Sequence, residues 1–145
     1  MENNLQDKNY DVYVDATILG RHDPKAPKRA LVAYVVDGIE GFERVKEVSA
    51  QETSNAEYEA ILFAIRELKG KLKQFTVFCD HQSVVSEANK KSKDTPSTNP
   101  LLREIRKELV NSNSNIILQE FQINPAHTLL NKYLIHEKSI TNQVL

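Results

Sequence analysis

Tryptophan is absent and cysteine occurs once, as Cys79. A lone cysteine excludes an internal disulfide and any zinc site built from several thiolates, and it suits a reducing compartment. With no tryptophan and only 7% aromatic residues, stacking of bases on side-chain rings is not a conspicuous means of binding. No apolar run approaches the roughly 20 residues that span a bilayer, so no membrane segment is expected. The opening "MENNLQDKNY" is polar and acidic, unlike a secretory signal, and a cytoplasmic location is the expectation. The formal net charge is −1, so no global field draws the chain to nucleic acid.

What is present suits one domain of 145 residues, 40% hydrophobic and 27% charged, able to bury a core unaided. Residues 1–9 read as a flexible leader, 10–137 as the domain and 138–145 as a loose tail. "YDVYVDA" (Tyr10 to Ala16) alternates Val12 and Val14 against Tyr13 and Asp15, a strand pattern. "ALVAYVVD" is a nearly continuous apolar strand closed by the turn signal Asp37-Gly38. "GFERVKEVS" is a more polar third strand, as an edge requires. The period then changes: a helix capped by Ser54 or Asn55 runs to about Leu68, and Gly70 can stop it. "QFTVFCD" alternates Phe75, Val77 and Cys79 against Thr76, Phe78 and Asp80. A short helix over 82–89, a polar loop over 90–100, a helix opened by Asn99-Pro100, a strand from Asn115 to Ile123 and a helix opened by Pro125 complete the chain.

The order is β-β-β-α-β-α-α-β-α. Three antiparallel strands followed by two parallel ones give a five-stranded mixed sheet of the α/β class, with helices on both faces. Strands one and four are expected side by side.

Glu57 lies in line with Ile61, Ala64, Ile65 and Leu68, at the head of an apolar helical stripe that faces a core. Asp15 sits in the most central strand, and Asp80 ends the first strand after the helix, at the carboxyl edge where open α/β sheets place their sites. Each has a plainer explanation: Asp80 as a cap for the next helix, Glu57 as a macrodipole partner. Asp15 is harder to explain so, because an acid among apolar neighbours needs a partner. Together, three converging carboxylates repel and need a positive charge, for which Mg²⁺ or Mn²⁺ are natural. Two such ions can activate a water and steady a leaving oxygen in phosphodiester cleavage.

The chain from about 10 to 135 resembles the ribonuclease H family, the type 1 RNA–DNA hybrid nucleases. "VYVDA" with Gly20 looks like the first strand with its Asp, and "TSNAEYEAILFAI" like the helix start that carries the Glu. "FTVFCDHQSVV" looks like the strand and helix with the next Asp, and "NPAHTLLNKYL" like the final helix. The resemblance implies a ribonuclease H-like fold with Asp15, Glu57 and Asp80 as catalytic metal ligands for Mg²⁺ or Mn²⁺, two ions at full occupancy. It sets His127 where the family has its fourth acid. Ala16 stands where Gly is usual, one residue is missing between Asn55 and Ala56, and the family's mobile-loop histidine has no counterpart.

His127 is then either a hydrogen-bonding residue at a helix start, or a ligand or proton carrier in the site; Glu120 and Glu137 are possible substitute carboxylates. His22, His81 and His136 read as surface residues, with His81 beside Asp80 able to touch the site. Cys79 reads as an inert core thiol. Arg21, Lys25, Lys28 and Arg29, with Asn55, are candidates for nucleic-acid contact, although lysine-rich loops, here including Lys69, Lys71, Lys73, Lys90, Lys91 and Lys93, are ordinarily just solvated. The expected function is metal-dependent endonucleolytic cleavage of the RNA strand of RNA–DNA hybrids, by a monomer. The alternative is a nucleic-acid-binding module with weak or no cleavage because of His127; a protein-interaction domain is a third possibility.

Overall fold

The computed structural model describes residues 8–19, 29–50, 53–111, 115–120 and 125–144, the side chains of 53–54, 115–120 and 135–144 excepted. The strands are β1 (Asn9–Leu19), β2 (Arg29–Val36), β3 (Glu43–Ser49), β4 (Gln74–Cys79) and β5 (Asn115–Glu120). The helices are α1 (Thr53–Leu68), α2 (Gln82–Asn89), α3 (Pro100–Asn111) and α4 (Pro125–Val144). The expected element order is observed. Among the described residues no helix is long and apolar enough to cross a membrane.

The sheet has five strands in the order β3-β2-β1-β4-β5. The β1–β2 and β2–β3 pairs are antiparallel; β1–β4 and β4–β5 are parallel. Strands β1 and β4 are therefore neighbours, as the crossover argument requires. The turn between β2 and β3 needs left-handed backbone at Gly38 (φ +91°) and Gly41 (φ +86°), a region that costs glycine nothing.

Strand alternation divides the core in two. Val12, Val14, Val32, Tyr34, Phe75, Val77 and Cys79 face one side, where α1, α2 and α3 pack. Tyr13, Leu31, Ala33 and Val35 face the other, covered by α4 through Ala126, Leu129, Leu130 and Leu134. On α1 the stripe Ile61, Ala64, Ile65 and Leu68 is fully buried. Each large apolar side chain so removed from water contributes about 1.5–3 kcal/mol. Glu57 heads that stripe at 1% exposure.

Asn99 caps α3 as expected: its Oδ1 accepts from the Leu101 and Leu102 amides at 3.0 and 3.4 Å. At the C-terminal end the backbone departs from expectation. Helix α4 continues to Val144, past 138 where a loose tail was expected. No glycine or proline after Pro125 interrupts it, so nothing local stops the helix. The leader before residue 8, and residues 121–123 of the expected fifth strand, lie outside the described residues.

Candidate active site

The pairing of β1 with β4 ends at Tyr13↔Phe78, while β1 runs on to Leu19. Beyond the carboxyl end of β4, side chains from both faces of the sheet can therefore meet beside β1. Asp15 lies opposite Ala33, on the α4 face. Glu57 arrives from α1 on the other face, and Asp80 leaves the end of β4. The three acids of the sequence reading converge at this fork: Asp15 and Asp80 each act electrostatically on Glu57, and Asp80 acts on Asp15.

Asp15 is 4% exposed and Glu57 1%. Burial, then the charges of Asp15 and Asp80, push the Glu57 carboxyl up from 4.5 to about 8. Burial likewise raises Asp15, opposed by the hydrogen bond from His127. Asp80 Oδ1 is buried with no hydrogen-bond partner among the described residues. No lysine or arginine among those residues pairs with any of the three acids; the ion pairs they make are with histidines. A buried anionic cluster without a countercharge costs several kcal/mol per ion. Hard oxygen donors, an orphaned carboxylate oxygen and missing positive charge fit a divalent cation.

Two subgroups are distinct in the geometry. Donor atoms of Glu57, Asp80 and His81 all lie within 4.8 Å of one another, a grouping able to hold a metal ion. Asp15 is instead engaged by His127, whose Nδ1 lies 2.9 Å from Asp15 Oδ2. His127 is thus at a helix start and in the site at once, with a side chain 65% exposed. The Glu57 carboxylate accepts a hydrogen bond from the Ala16 backbone amide and is approached by two side chains. Its Oε2 accepts from the Cys79 thiol at 3.5 Å, and its Oε1 lies 3.8 Å from His81 Nε2.

One of these partners was missed in the sequence and the other was only partly read. Cys79 is a buried core thiol, as read, but it also touches Glu57. His81, read as a surface residue able to touch the site, belongs to the metal-competent grouping. Its adjacency to Asp80 was the available signal. For Cys79 there was none, because only the seating of α1 on β4 puts Glu57 beside it.

Of the proposed nucleic-acid contacts, Arg29 and Asn55 lie among the described residues. Asn55, in the first turn of α1, accepts a hydrogen bond from Asn99 Nδ2 at 2.9 Å, which ties it to the cap of α3. Arg29 is exposed, with its Nη1 shared between both Glu47 carboxylate oxygens at 3.0 and 3.1 Å. Lys69 pairs with Glu108, and Lys90 with Glu87. Gly20, Arg21, His22, Lys25 and Lys28 lie outside the described residues, as do the side chains of Glu120, His136 and Glu137.

This arrangement, a mixed five-stranded sheet with acids at the β1–β4 fork, defines a ribonuclease H-like protein. The chain belongs to the reverse transcriptase-like family, whose model matches residues 41–129. Its fold is similar to that of RNase H1 from the halophilic archaeon Halobacterium salinarum NRC-1, with a TM-score of 0.56. That likeness covers 83% of this chain and 89% of the other at 19% identity, a likeness of fold. No curated protein sequence matches the chain. The ribonuclease H resemblance drawn from "VYVDA", "NAEYEA" and "FCDHQ" is thereby upheld.

Proposed function

We propose that the protein is a metal-dependent endoribonuclease that cuts the RNA strand of RNA–DNA hybrids. The observation that carries this reading is the acid cluster at the β1–β4 fork, which among the described residues has no lysine or arginine partner and leaves the buried Asp80 Oδ1 without a hydrogen bond. Asp15, Glu57 and Asp80 would hold divalent ions, Mg²⁺ or Mn²⁺, and His127 would stand beside them. When bound, such ions supply Lewis acidity toward the scissile phosphate and make water a stronger nucleophile.

What each residue does follows from its environment. Glu57 must give up the proton that burial favours, so its ligand role is coupled to binding of positive charge. His127 Nδ1 orients Asp15 through Oδ2, and its exposed ring can move a proton between that atom and solvent. Asn55, held by Asn99, would contact the hybrid from the first turn of α1. A hybrid duplex is read by shape, through phosphates and 2′-hydroxyls, which suits a chain poor in aromatic side chains. Arg21, Lys25, Lys28 and Arg29 would add phosphate contacts.

A second reading, a binding module with weak or no cleavage, is favoured by one observation. The position of the fourth acid holds an imidazole already bonded to Asp15 Oδ2. Incubation of labelled RNA–DNA hybrid, double-stranded RNA and DNA with Mg²⁺ or Mn²⁺ separates the two. The nuclease reading expects internal cuts in the RNA strand of the hybrid only. Hybrid binding with no cut under either ion would leave the binding module.

A further inference from the structure

The sequence resemblance makes His127 the nitrogen donor of the site, but the geometry gives that ring to Asp15 as a hydrogen-bond partner, at 2.9 Å. Another imidazole is better placed to ligate. We infer that His81 is a direct ligand of the ion held by Glu57 and Asp80, and that it turns this position toward first-row transition ions such as Mn²⁺ in preference to Mg²⁺. The inference rests on the metal-centre reading above and is independent of which nucleic acid, if any, is cut.

His81 Nε2 stands 3.8 Å from Glu57 Oε1, beyond hydrogen-bond range. Around a six-coordinate ion with bonds of about 2.1 Å, donors sit about 3 Å apart when adjacent and about 4 Å when opposite. The observed 3.8 Å falls in that window, and Asp80 offers a donor atom within 4.8 Å of both partners. The Glu57 carboxylate is already turned toward such an ion, because Cys79 holds Oε2 from within the core and leaves Oε1 toward His81. Asp80 brings a buried oxygen with no other partner among the described residues.

His81 also lacks the ordinary occupation of a residue at its position. It is the N-cap of α2, yet its side chain makes no capping hydrogen bond. Its backbone carbonyl alone joins the helix, accepting from the Val85 amide at 3.1 Å. The ring is 40% exposed, open to an arriving ion. Two carboxylates and one imidazole form a mixed donor set. Imidazole is a poor ligand for Mg²⁺, which prefers oxygen and retains its water, and a better one for transition ions.

The test measures ion binding by the whole chain, without substrate. Titration calorimetry with Mn²⁺ and with Mg²⁺ is run on wild type, His81→Ala, His81→Gln and His127→Ala, alongside electron spin-echo spectra of bound Mn²⁺. His81→Ala should weaken Mn²⁺ binding about ten-fold or more and abolish the nitrogen modulation of the echo. Mg²⁺ binding should change by less than about three-fold, since His81 contributes little to it. His127→Ala should keep the modulation. If the apo His81→Ala protein melts well below wild type, His81→Gln, which keeps a polar side chain without the ring, is read in its place. Unchanged Mn²⁺ affinity in both His81 variants, or modulation lost in His127→Ala and kept in His81→Ala, overturns the assignment. Mn²⁺ bound through His81 by a protein that cuts no hybrid sustains this inference while removing the nuclease reading. Hybrid cleavage with His81-independent Mn²⁺ binding does the reverse.

Discussion

Cys79 Sγ lies 3.5 Å from Glu57 Oε2, with both side chains inside the core. A thiol donating to a buried carboxylate fixes which oxygen faces the site, much as the hydrogen-bond partners of metal ligands orient them at metal centres. Burial, then the Glu57 charge, also pushes the Cys79 thiol well above its ordinary pKa, so it stays a neutral donor.

Cys79→Ala should therefore weaken divalent-ion binding by about ten-fold. Cys79→Ser, which keeps a donor, should recover part of the loss. Calorimetry on both variants checks this, and equal affinity in wild type and Cys79→Ala would dismiss the positioning role.

Stability without metal should fall as pH rises. The folded-state pKa of Glu57, about 8, lies above its ordinary 4.5, so the folded protein holds a proton that the unfolded chain releases. That contribution is fully present below pH 4.5 and is lost as pH climbs through about 8. Asp15, also raised, acts in the same direction. Thermal melts of the apo protein should show this decline, and Glu57→Gln should flatten it and raise the melting temperature near pH 8. Saturating Mn²⁺ should raise the wild-type melting temperature more than that of Glu57→Gln, because it binds the ionised folded form. An apo melting temperature that climbs steadily over this range would contradict the cluster's charge state.

Asp15→Asn should abolish hybrid cleavage while leaving the fold intact, since the amide keeps the volume and removes a charge from the cluster. Wild-type cleavage retained within about three-fold, the usual spread of such context effects, would remove Asp15 from the two-ion scheme.

His127→Asp breaks the 2.9 Å contact with Asp15 and sets a fourth anion beside it. The apo protein should lose about 1 kcal/mol, roughly one hydrogen bond, from its stability. Mg²⁺-dependent cleavage of the hybrid should rise several-fold, because the new carboxylate adds a hard oxygen donor and a negative charge beside Asp15. No gain in cleavage in His127→Asp, together with no loss in His127→Ala, would place the residue outside the chemistry.

Arg106 is 4% exposed and donates to the Glu87 carbonyl from Nε and Nη2 at 3.1 and 2.8 Å, and to Thr95 O from Nη1 at 2.6 Å. It ties the end of α2 to the loop before α3. Arg106→Met should cost about 3 kcal/mol by removing the charge-assisted hydrogen bonds that join Glu87 and Thr95, measurable by urea denaturation with the metal site unperturbed.

Much of this protein is written in local pattern. Alternation at Val12 and Val14, and at Phe75, Val77 and Cys79, determined two adjacent strands; the stripe from Glu57 through Leu68 determined the buried face of α1. Asn99-Pro100 marked the start of α3 because capping is a contact between near neighbours. Asp15 and Glu57 were legible as candidate site residues for a related reason: each is an acid among apolar neighbours in an element whose course is known from period alone. The helical course of α4 beyond residue 138 was not, since a polar segment has no apolar stripe to declare it.

Tertiary structure alone decided who touches whom at the fork. His127 and Asp15 are 112 positions apart and come from α4 and β1; Cys79 and Glu57 are joined only because α1 packs over the end of β4. The same holds for His81 and for Asn55 with Asn99, 44 positions apart. Periodicity tells which face a side chain takes, but not which distant element ends beside it. That depends on strand order and on where the β1–β4 pairing stops, and both are settled by packing of the whole chain.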